Sequence, residues 1–183
     1  MDERQAIECM RNGDIRGLEV IVRSYQVRAI RAAYLVTRDV SLAQDVVQSA
    51  FLSTYERIDQ LDPSRPFAPW FLASVLHAAV KVVRRRNRHT SFEQLPPADA
   101  DPADAEPRPE DLWENAETAD EIWVALGGLP PAQRSAVVAR YYLGLSQAEM
   151  AQALGCTETT VKWRLHAARA RLRLLLAPFL SND

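Results

Sequence analysis

This 183-residue chain has too little cysteine and histidine to build a disulfide framework or a zinc site. Its two cysteines, Cys9 and Cys156, lie far apart, with no CxxC spacing and no histidine cluster beside them. We interpret them as reduced, partly buried thiols of a cytoplasmic protein. The three histidines are scattered along the chain, so neither a metal ion nor any other cofactor is expected.

Long apolar runs are also missing. None approaches the length of a membrane span, and the start MDERQAIECM has no apolar signal-peptide core. We therefore expect a cytoplasmic protein without direct membrane insertion. Nucleophile elbows, phosphate loops and paired carboxylates in a catalytic context are lacking too. No catalytic residue and no enzyme activity are predicted.

Charge is divided unevenly along the chain, although the net charge is only −2. Residues 1–90 hold 14 Lys and Arg against 10 Asp and Glu, a net charge of +4. Residues 91–121 hold one Arg against 11 acids, a net charge of −10, and residues 122–183 hold seven against three, again +4. Two basic blocks flanking an acidic segment are typical of a protein whose ends meet a polyanion.

Helical periodicity dominates the amino-terminal block, and strand alternation is absent over any long stretch. Residues 15–37 are predicted to form one helix, residues 41–58 a second and residues 70–87 a third. Ser41 and Gln44 have the spacing of a capping box that would begin the second helix. The predicted buried stripes are Leu18, Ile21, Val22, Tyr25, Ala29, Ala32, Ala33 and Val36 in the first helix, and Ala43, Val47, Ala50, Phe51, Thr54 and Ile58 in the second.

An acidic, proline-rich stretch runs from about His89 to Asn115 and lacks periodic apolar residues. It cannot bury enough surface to offset its ordering entropy, so it is read as a linker. We divide the chain into a domain at 1–90, a linker at 91–117 and a domain at 118–183. Two interpretations of the linker remain open: a solvated tether with no role of its own, and an acidic segment with a function.

The carboxy-terminal block is predicted to begin with two short helices. Thr118 and Glu121 have capping-box spacing, and Gly127 and Gly128 would end the first helix. Pro131 would begin the second helix, which runs to about residue 143 before Gly144. The fold class predicted from the whole chain is all-α.

Residues 146–173 have the pattern of a helix-turn-helix. Ser146 and Glu149 predict a capping box, and Gly155 predicts the left-handed end of a short helix before Thr157 caps the next one. The second helix would bury Val161, Leu165, Ala168 and Leu172, and would turn outward Glu158, Thr159, Lys162, Trp163 and His166. In this motif such outward residues enter a major groove, while Arg164, Arg169, Arg171 and Arg173 would reach phosphates. An ordinary helical hairpin with a basic face remains the alternative.

Two stretches resemble one family. Residues 129–176, LPPAQRSAVVARYYLGLSQAEMAQALGCTETTVKWRLHAARARLRLLL, are similar to the domain of extracytoplasmic-function sigma factors that reads the promoter minus-thirty-five element. AQDVVQSAFLSTYERI, followed by DPSRPFAPWFL and an arginine-rich helix end, is similar to their polymerase-binding and minus-ten-reading domain. The resemblance implies two small helical domains, the second a helix-turn-helix domain. It also implies binding to core RNA polymerase, promoter selection and promoter opening.

Site residues follow from the resemblance by position. The implied polymerase-binding residues are Asp45, Gln48, Ser49 and Leu52. The implied minus-ten DNA residues are Phe67, Trp70, His77, Lys81, Arg84, Arg85, Arg86 and Arg88. The implied minus-thirty-five DNA residues are Thr157, Glu158, Thr159, Lys162, Trp163, Arg164, His166 and Arg169. A flipped base needs an apolar wall, which Phe67 and Trp70 would supply unless they belong to the core.

Departures from the family pattern affect the expected promoter sequence. Asn is frequent in the family where His77 stands, and Asp or Asn where Lys81 stands. Trp163 replaces a commonly small Ser, and Ala167 sits where Arg is frequent. We predict an altered minus-thirty-five sequence.

The resemblance also implies partners. They are the clamp and flap regions of core RNA polymerase, promoter DNA and a separate anti-sigma factor. A stand-alone helix-turn-helix regulator, which would bind a promoter without polymerase, is the alternative function.

Overall fold

The computed structural model describes residues 1–87 and 116–180, and within these ranges every regular element is helical. The first domain comprises α1 (Glu3–Arg11), α2 (Arg16–Thr37), α3 (Val40–Glu56) and α4 (Phe67–Asn87), with a 3₁₀ turn (Ile58–Gln60) after α3. The second comprises α5 (Ala116–Gly127), α6 (Pro131–Val137), α7 (Gln147–Leu154) and α8 (Glu158–Leu180). The predicted all-α class with two small helical domains is confirmed.

The first domain is built around α2, which packs against α1, α3 and α4. The apolar stripes predicted for α2 and α3 face this core, where Val22 and Tyr25 are half-buried and the other members are buried. Phe71 of α4 stacks on Phe51 of α3, with ring centroids 4.7 Å apart, and on Phe67 at 5.6 Å. These rings fix how α4 lies on α3, and so which face of α4 meets solvent.

Helix α1 was missed in the sequence. Its capping box is complete, because Asp2 accepts from the Gln5 backbone N–H at 2.8 Å while Gln5 accepts from the Asp2 backbone N–H at 3.0 Å. The Asp-x-x-Gln spacing was therefore a readable start signal. Ala6 and Met10 are buried where the inner face of α1 packs against α2.

Three predicted helix starts are wrong. Helix α3 begins after Asp39, whose carboxylate accepts from the Leu42 N–H at 3.1 Å, so Ser41 lies inside the helix and does not cap it. Helix α5 begins at Ala116, which places Thr118 inside it and makes residues 116 and 117 helical rather than linker. Helix α4 begins at Phe67, so Pro69 lies in its first turn. A proline is tolerated there because the backbone N–H that it lacks would have no acceptor within the helix.

Helix α4 is long and apolar enough to cross a membrane by length and composition, over Phe67–Arg86. Its inner face is nevertheless buried, with Phe71, Leu72, Val75 and Leu76 at most 1% exposed against α2 and α3. It is therefore a core helix of the first domain.

The second domain holds the helix-turn-helix. Helix α8 packs on α5, α6 and α7. Helix α6 continues as a π-helical turn (Val138–Tyr142), in which the Leu143 N–H donates to the Val138 carbonyl at 3.0 Å. The helix predicted from Pro131 to about Leu143 is thus present, but its second half is π-helical rather than α-helical. The remainder of the predicted linker, residues 91–115, lies outside the described residues.

Candidate DNA and polymerase interfaces

The turn of the helix-turn-helix has the local chemistry predicted for it. Ser146 and Glu149 form a reciprocal capping box, with the Ser146 N–H donating to the Glu149 carboxylate at 2.8 Å. Gly155 ends α7 in the left-handed conformation at φ 60°. Thr157 Oγ1 accepts from the Thr160 N–H at 3.2 Å and so caps α8. The turn fixes the direction in which α8 leaves α7.

Helix α8 presents a polar face at its amino-terminal half. Val161, Leu165 and Ala168 are buried beneath it, and Leu172 is half-buried, as predicted. The predicted minus-thirty-five residues that are exposed are Thr157, Glu158, Thr159, Lys162 and His166, and those that are half-buried are Trp163, Arg164 and Arg169. Arg164 contacts the Cys156 sulfur at 3.5 Å, so its guanidinium turns back toward the turn.

A second polar face runs along α4. His77, Lys81, Arg84 and Arg85 follow one another at intervals of four, three and one, so they line one side of the helix, and all four are exposed. Arginines in the last turn also complement the negative end of the helix dipole. We call His77, Lys81, Arg84 and Arg85 the α4 face.

Three other predicted minus-ten residues have different surroundings. Phe67 is 1% exposed and packs against Tyr25 and Phe71, so its assignment to a base-binding wall is corrected to core. Trp70 is half-buried, with its ring centroid 5.9 Å from that of Phe67. It remains available as a wall. Arg86 pairs with Asp39 at 3.3 Å, and Arg88 lies outside the described residues.

Asp39 thus has two roles at the start of α3. Its hydrogen bond from the Leu42 N–H, and secondarily the Arg86 guanidinium, hold the pKa of its carboxyl below the ordinary value. The contacts that begin α3 and hold Arg86 thus favour the charged form of this carboxyl.

The predicted polymerase-binding residues share the outer side of α3. Asp45, Gln48, Ser49 and Leu52 are all exposed, while Val46, Val47 and Ala50 between them are buried. Leu52 is 54% exposed, an apolar side chain beside three polar residues on this side of the helix. Such an anchor is suited to a pocket on a partner protein.

The α4 face also meets the second domain. The Arg84 guanidinium donates to the Leu154 carbonyl at 2.9 Å, and His77 Nδ1 lies 3.0 Å from the Ala153 carbonyl. His77, Val80, Lys81, Arg84 and Leu154 line a shallow cleft at this junction. Residue types do not indicate this contact, because its acceptors are backbone carbonyls.

Arg134 of α6 was also missed. It is 7% exposed, and it donates to the Val36 carbonyl of α2 at 3.0 Å and to the Leu129 carbonyl at 3.3 Å. Burial lowers the pKa of its guanidinium, and the charge of Arg38 lowers it further. The partners of Arg134 are backbone carbonyls, and a backbone carbonyl cannot be recognised from residue type.

No group of three or more His, Cys, Asp or Glu that could hold a metal ion occurs within residues 1–87 and 116–180.

Two protein families match the two domains separately. Residues 21–89 match sigma-70 region 2, and residues 119–172 match sigma-70 region 4. The first match contains the α3 and α4 residues described above, and the second contains the helix-turn-helix. The order is that predicted from the sequence.

Curated relatives agree with both matches. The chain is 33% identical over 163 residues to the ECF RNA polymerase sigma factor SigE of Mycolicibacterium smegmatis, covering 88% of this chain and 62% of that protein. It is 33% identical over 165 residues to the RNA polymerase sigma-E factor of Streptomyces avermitilis, covering 90% of this chain and 87% of that protein. The chain thus spans somewhat less than two thirds of the first relative and most of the second.

Solved structures share the fold. CnrH in complex with the cytosolic domain of CnrY matches with a TM-score of 0.63 and 25% identity, covering 96% of this chain and 97% of that one. The sigma factor RpoE in complex with the anti-sigma factor NepR, from Bartonella quintana, matches in fold with a TM-score of 0.61 and 20% identity, covering 86% of this chain and 96% of that one. Together with the matches to sigma-70 regions 2 and 4 and to the two relatives, these findings establish that the chain belongs to the extracytoplasmic-function sigma factors, which direct bacterial RNA polymerase to promoters.

Proposed function

We propose that this protein works by binding alone, docking on core RNA polymerase and placing one DNA-reading face on each of two promoter elements. The observation that carries the proposal is the presence of two separate cation-bearing helical faces, one in each family-matched domain. A polyanion attracts both faces by counterion release, and neither needs a covalent step.

The outer side of α3 is proposed to grip the polymerase clamp. Leu52 would be the apolar anchor, and Asp45, Gln48 and Ser49 would form a polar rim around it. The second domain would lie over the flap of the enzyme, as the family resemblance implies.

The α4 face is proposed to hold the opened minus-ten strand. Lys81, Arg84 and Arg85 would track its phosphates, and half-buried Trp70 would supply the surface on which an unstacked base rests. His77 stands where Asn is frequent in the family, so its ring would read a different base edge.

The amino-terminal half of α8 is proposed to enter the major groove of the minus-thirty-five element. Lys162 and Glu158 are the exposed donor and acceptor for base edges, and each such contact contributes about 1–3 kcal/mol of discrimination. Trp163 offers an apolar surface for a thymine methyl group. Its predicted effect on the preferred sequence stays a prediction.

A separate anti-sigma factor is proposed as a further partner, and the cytoplasm as the place of action. In the two structural neighbours, CnrH is bound to the cytosolic domain of CnrY and RpoE to the anti-sigma factor NepR. The exposed outer side of α3 is a surface that such a protein would mask in order to block polymerase binding.

Transcription in vitro tests the proposal. Purified protein is mixed with core RNA polymerase and a library of promoter sequences, and transcripts are sequenced. We expect initiation from a restricted set of promoters, dependent on both components. A footprint on DNA by the free protein, with no transcript when core enzyme is added, would instead support a stand-alone regulator.

A matched pair of α3 variants tests the polymerase surface. Leu52→Asp places a charge where an apolar anchor is proposed, so core-enzyme affinity should fall at least 30-fold, the loss expected of a hot-spot residue. Gln44→Ala, at another exposed position of α3, serves as the control and should bind as the unchanged protein does. Equal binding by both variants would remove α3 from the interface.

A further inference from the structure

Helix α1 lies so close to α2 that only glycine fits where the two helices meet. A Cβ atom built on Gly17 would lie 2.2 Å from the Ala6 carbonyl oxygen and 2.9 Å from Cγ of Met10. Both distances are shorter than van der Waals contact, and the first neighbour is backbone, which cannot rotate away. Helix α1 is therefore held on α2 at backbone distance, although none of the residues predicted to meet DNA or polymerase lies on it.

The carboxyl end of α1 reaches the segment that leads into α4. The Arg11 guanidinium donates to the Leu61 carbonyl at 2.7 Å, a charge-assisted bond from a half-buried side chain. Leu61 is itself buried, directly after the 3₁₀ turn. In addition, the Tyr55 hydroxyl donates to the Gly13 carbonyl at 2.7 Å, which ties the turn after α1 to the end of α3. These bonds fix the position of the chain as it leaves α3.

The loop from Leu61 to Phe67 has little freedom of its own. Prolines stand at positions 63 and 66, and each fixes one backbone dihedral. Asp62 accepts from the Ser64 N–H at 2.9 Å and from the Ser64 hydroxyl at 2.7 Å, which closes a turn within the loop. Because the loop is short and stiff, holding Leu61 also restrains where α4 begins.

The amino-terminal end of α1 reaches the same place through an aromatic side chain. The Tyr25 hydroxyl of α2 donates to the Glu3 carboxylate. The Tyr25 ring lies against Phe67, with centroids 5.4 Å apart, and the Phe67 ring lies 5.9 Å from that of Trp70. Burial raises the pKa of the Tyr25 hydroxyl, and the bond to Glu3 raises it further, so the hydroxyl keeps the proton that it donates. Two separate contacts of α1 thus converge on the first turn of α4.

We infer that α1 is a positioning element for promoter opening, in which Arg11 and Glu3 hold the first turn of α4 so that Trp70 meets an unstacked minus-ten base. The inference rests on the proposed function, because it takes Trp70 as the surface for that base. Arg11 and Glu3 act through Trp70 and do not themselves contact the base. Unpairing a base has a free-energy cost, which the capturing surface offsets only if it stands where the base arrives.

Two templates separate positioning from a general loss of structure. Holoenzyme is formed with each variant, and the rate of single-round transcript formation is measured on a promoter selected from the library described above. The first template is fully duplex. The second carries mismatches that leave the minus-ten element already unpaired, so no base has to be unpaired by the protein. Core-enzyme affinity and the melting temperature of each free variant are measured alongside.

Two variants break the two contacts one at a time. Arg11→Ala removes the bond to Leu61, and Tyr25→Phe removes the bond to Glu3 while keeping the ring. Each should slow transcript formation on the duplex about fivefold or more, roughly the effect of one net hydrogen bond on a rate, and leave the rate on the unpaired template unchanged. Arg11→Lys keeps a cationic donor and should recover part of the loss. Arg4→Ala, at an exposed arginine of the same helix, is the matched control and should behave as the unchanged protein does.

Unchanged rates on the duplex for both Arg11→Ala and Tyr25→Phe would overturn the inference. Equal slowing on both templates, or weaker binding to core enzyme, would also overturn it, because either result would show a general structural role for α1. Trp70→Ala in the same assay tests the proposed function separately. Slow opening with Trp70→Ala but not with the α1 and Tyr25 variants overturns the inference alone, whereas an unchanged rate with Trp70→Ala removes the base-holding role of Trp70 itself.

Discussion

The two surfaces proposed to face DNA differ in the contacts that they already make within the chain. On α8, Lys162 and His166 face solvent, and the helix packs only beneath its apolar stripe. On α4, Arg84 and His77 are engaged with carbonyls of the other domain. The proposed reading face of α8 is therefore open to solvent, whereas two of the four residues of the α4 face already bond to the second domain.

The largest expected effect is at the open face. Lys162→Ala should weaken binding of polymerase holoenzyme to the minus-thirty-five duplex by about 1–3 kcal/mol and flatten the preference at one base position, because a base contact is lost. Binding is measured by titration against a panel of duplexes with single base changes.

Arg173→Ala is the matched control for Lys162→Ala. Arg173 is an exposed cation farther along α8, and its loss should weaken all duplexes about equally and lower the salt dependence by about one unit of slope. If Lys162→Ala behaved in the same way, Lys162 would be a phosphate contact.

Trp163→Ser sharpens the comparison within the open face. Because the role proposed for the half-buried indole is to contact a base, the smaller residue should change the promoters selected from a library, with an affinity change of about 1–2 kcal/mol at those that change. Unchanged promoter choice and unchanged affinity would contradict a reading role for Trp163.

The smallest effect is expected at the α4 face. Lys81→Ala should lower the salt slope of single-strand binding by holoenzyme by about 0.7, since one phosphate contact is lost. Arg86→Ala should change the slope less, because Arg86 is paired with Asp39. Equal slopes for both variants would mean that the Arg86 pair opens to bind DNA.

Much of the fold was predictable because its signals are local. Ser146, Glu149 and Gly155 define α7 through bonds that span a few residues, and the apolar periods of α2, α3 and α8 gave their buried faces correctly. Asp39 and Ser41 are both acceptable caps near the start of the same apolar stripe, so residue type alone does not choose between them. Helix α1 carried its own signal at Asp2.

The candidate site, too, has residues that could be predicted from local signals and residues that could not. Exposure of the α3 and α8 residues follows from helical spacing and was predictable. Phe67 was not separable from Trp70 by sequence, because the burial of Phe67 depends on Tyr25, which comes from a different helix. Arg134 and Arg84 bond to backbone carbonyls 98 and 70 residues away, and a carbonyl leaves no trace in residue type.

Transcription in vitro with core RNA polymerase and a promoter library tests the central claim most directly. The unchanged protein is compared with Lys162→Ala, which alters an exposed residue of α8. We predict transcripts that depend on both core enzyme and this protein, from a set of promoters that Lys162→Ala changes. Transcripts from no template, or the same set of promoters for both proteins, would contradict the account.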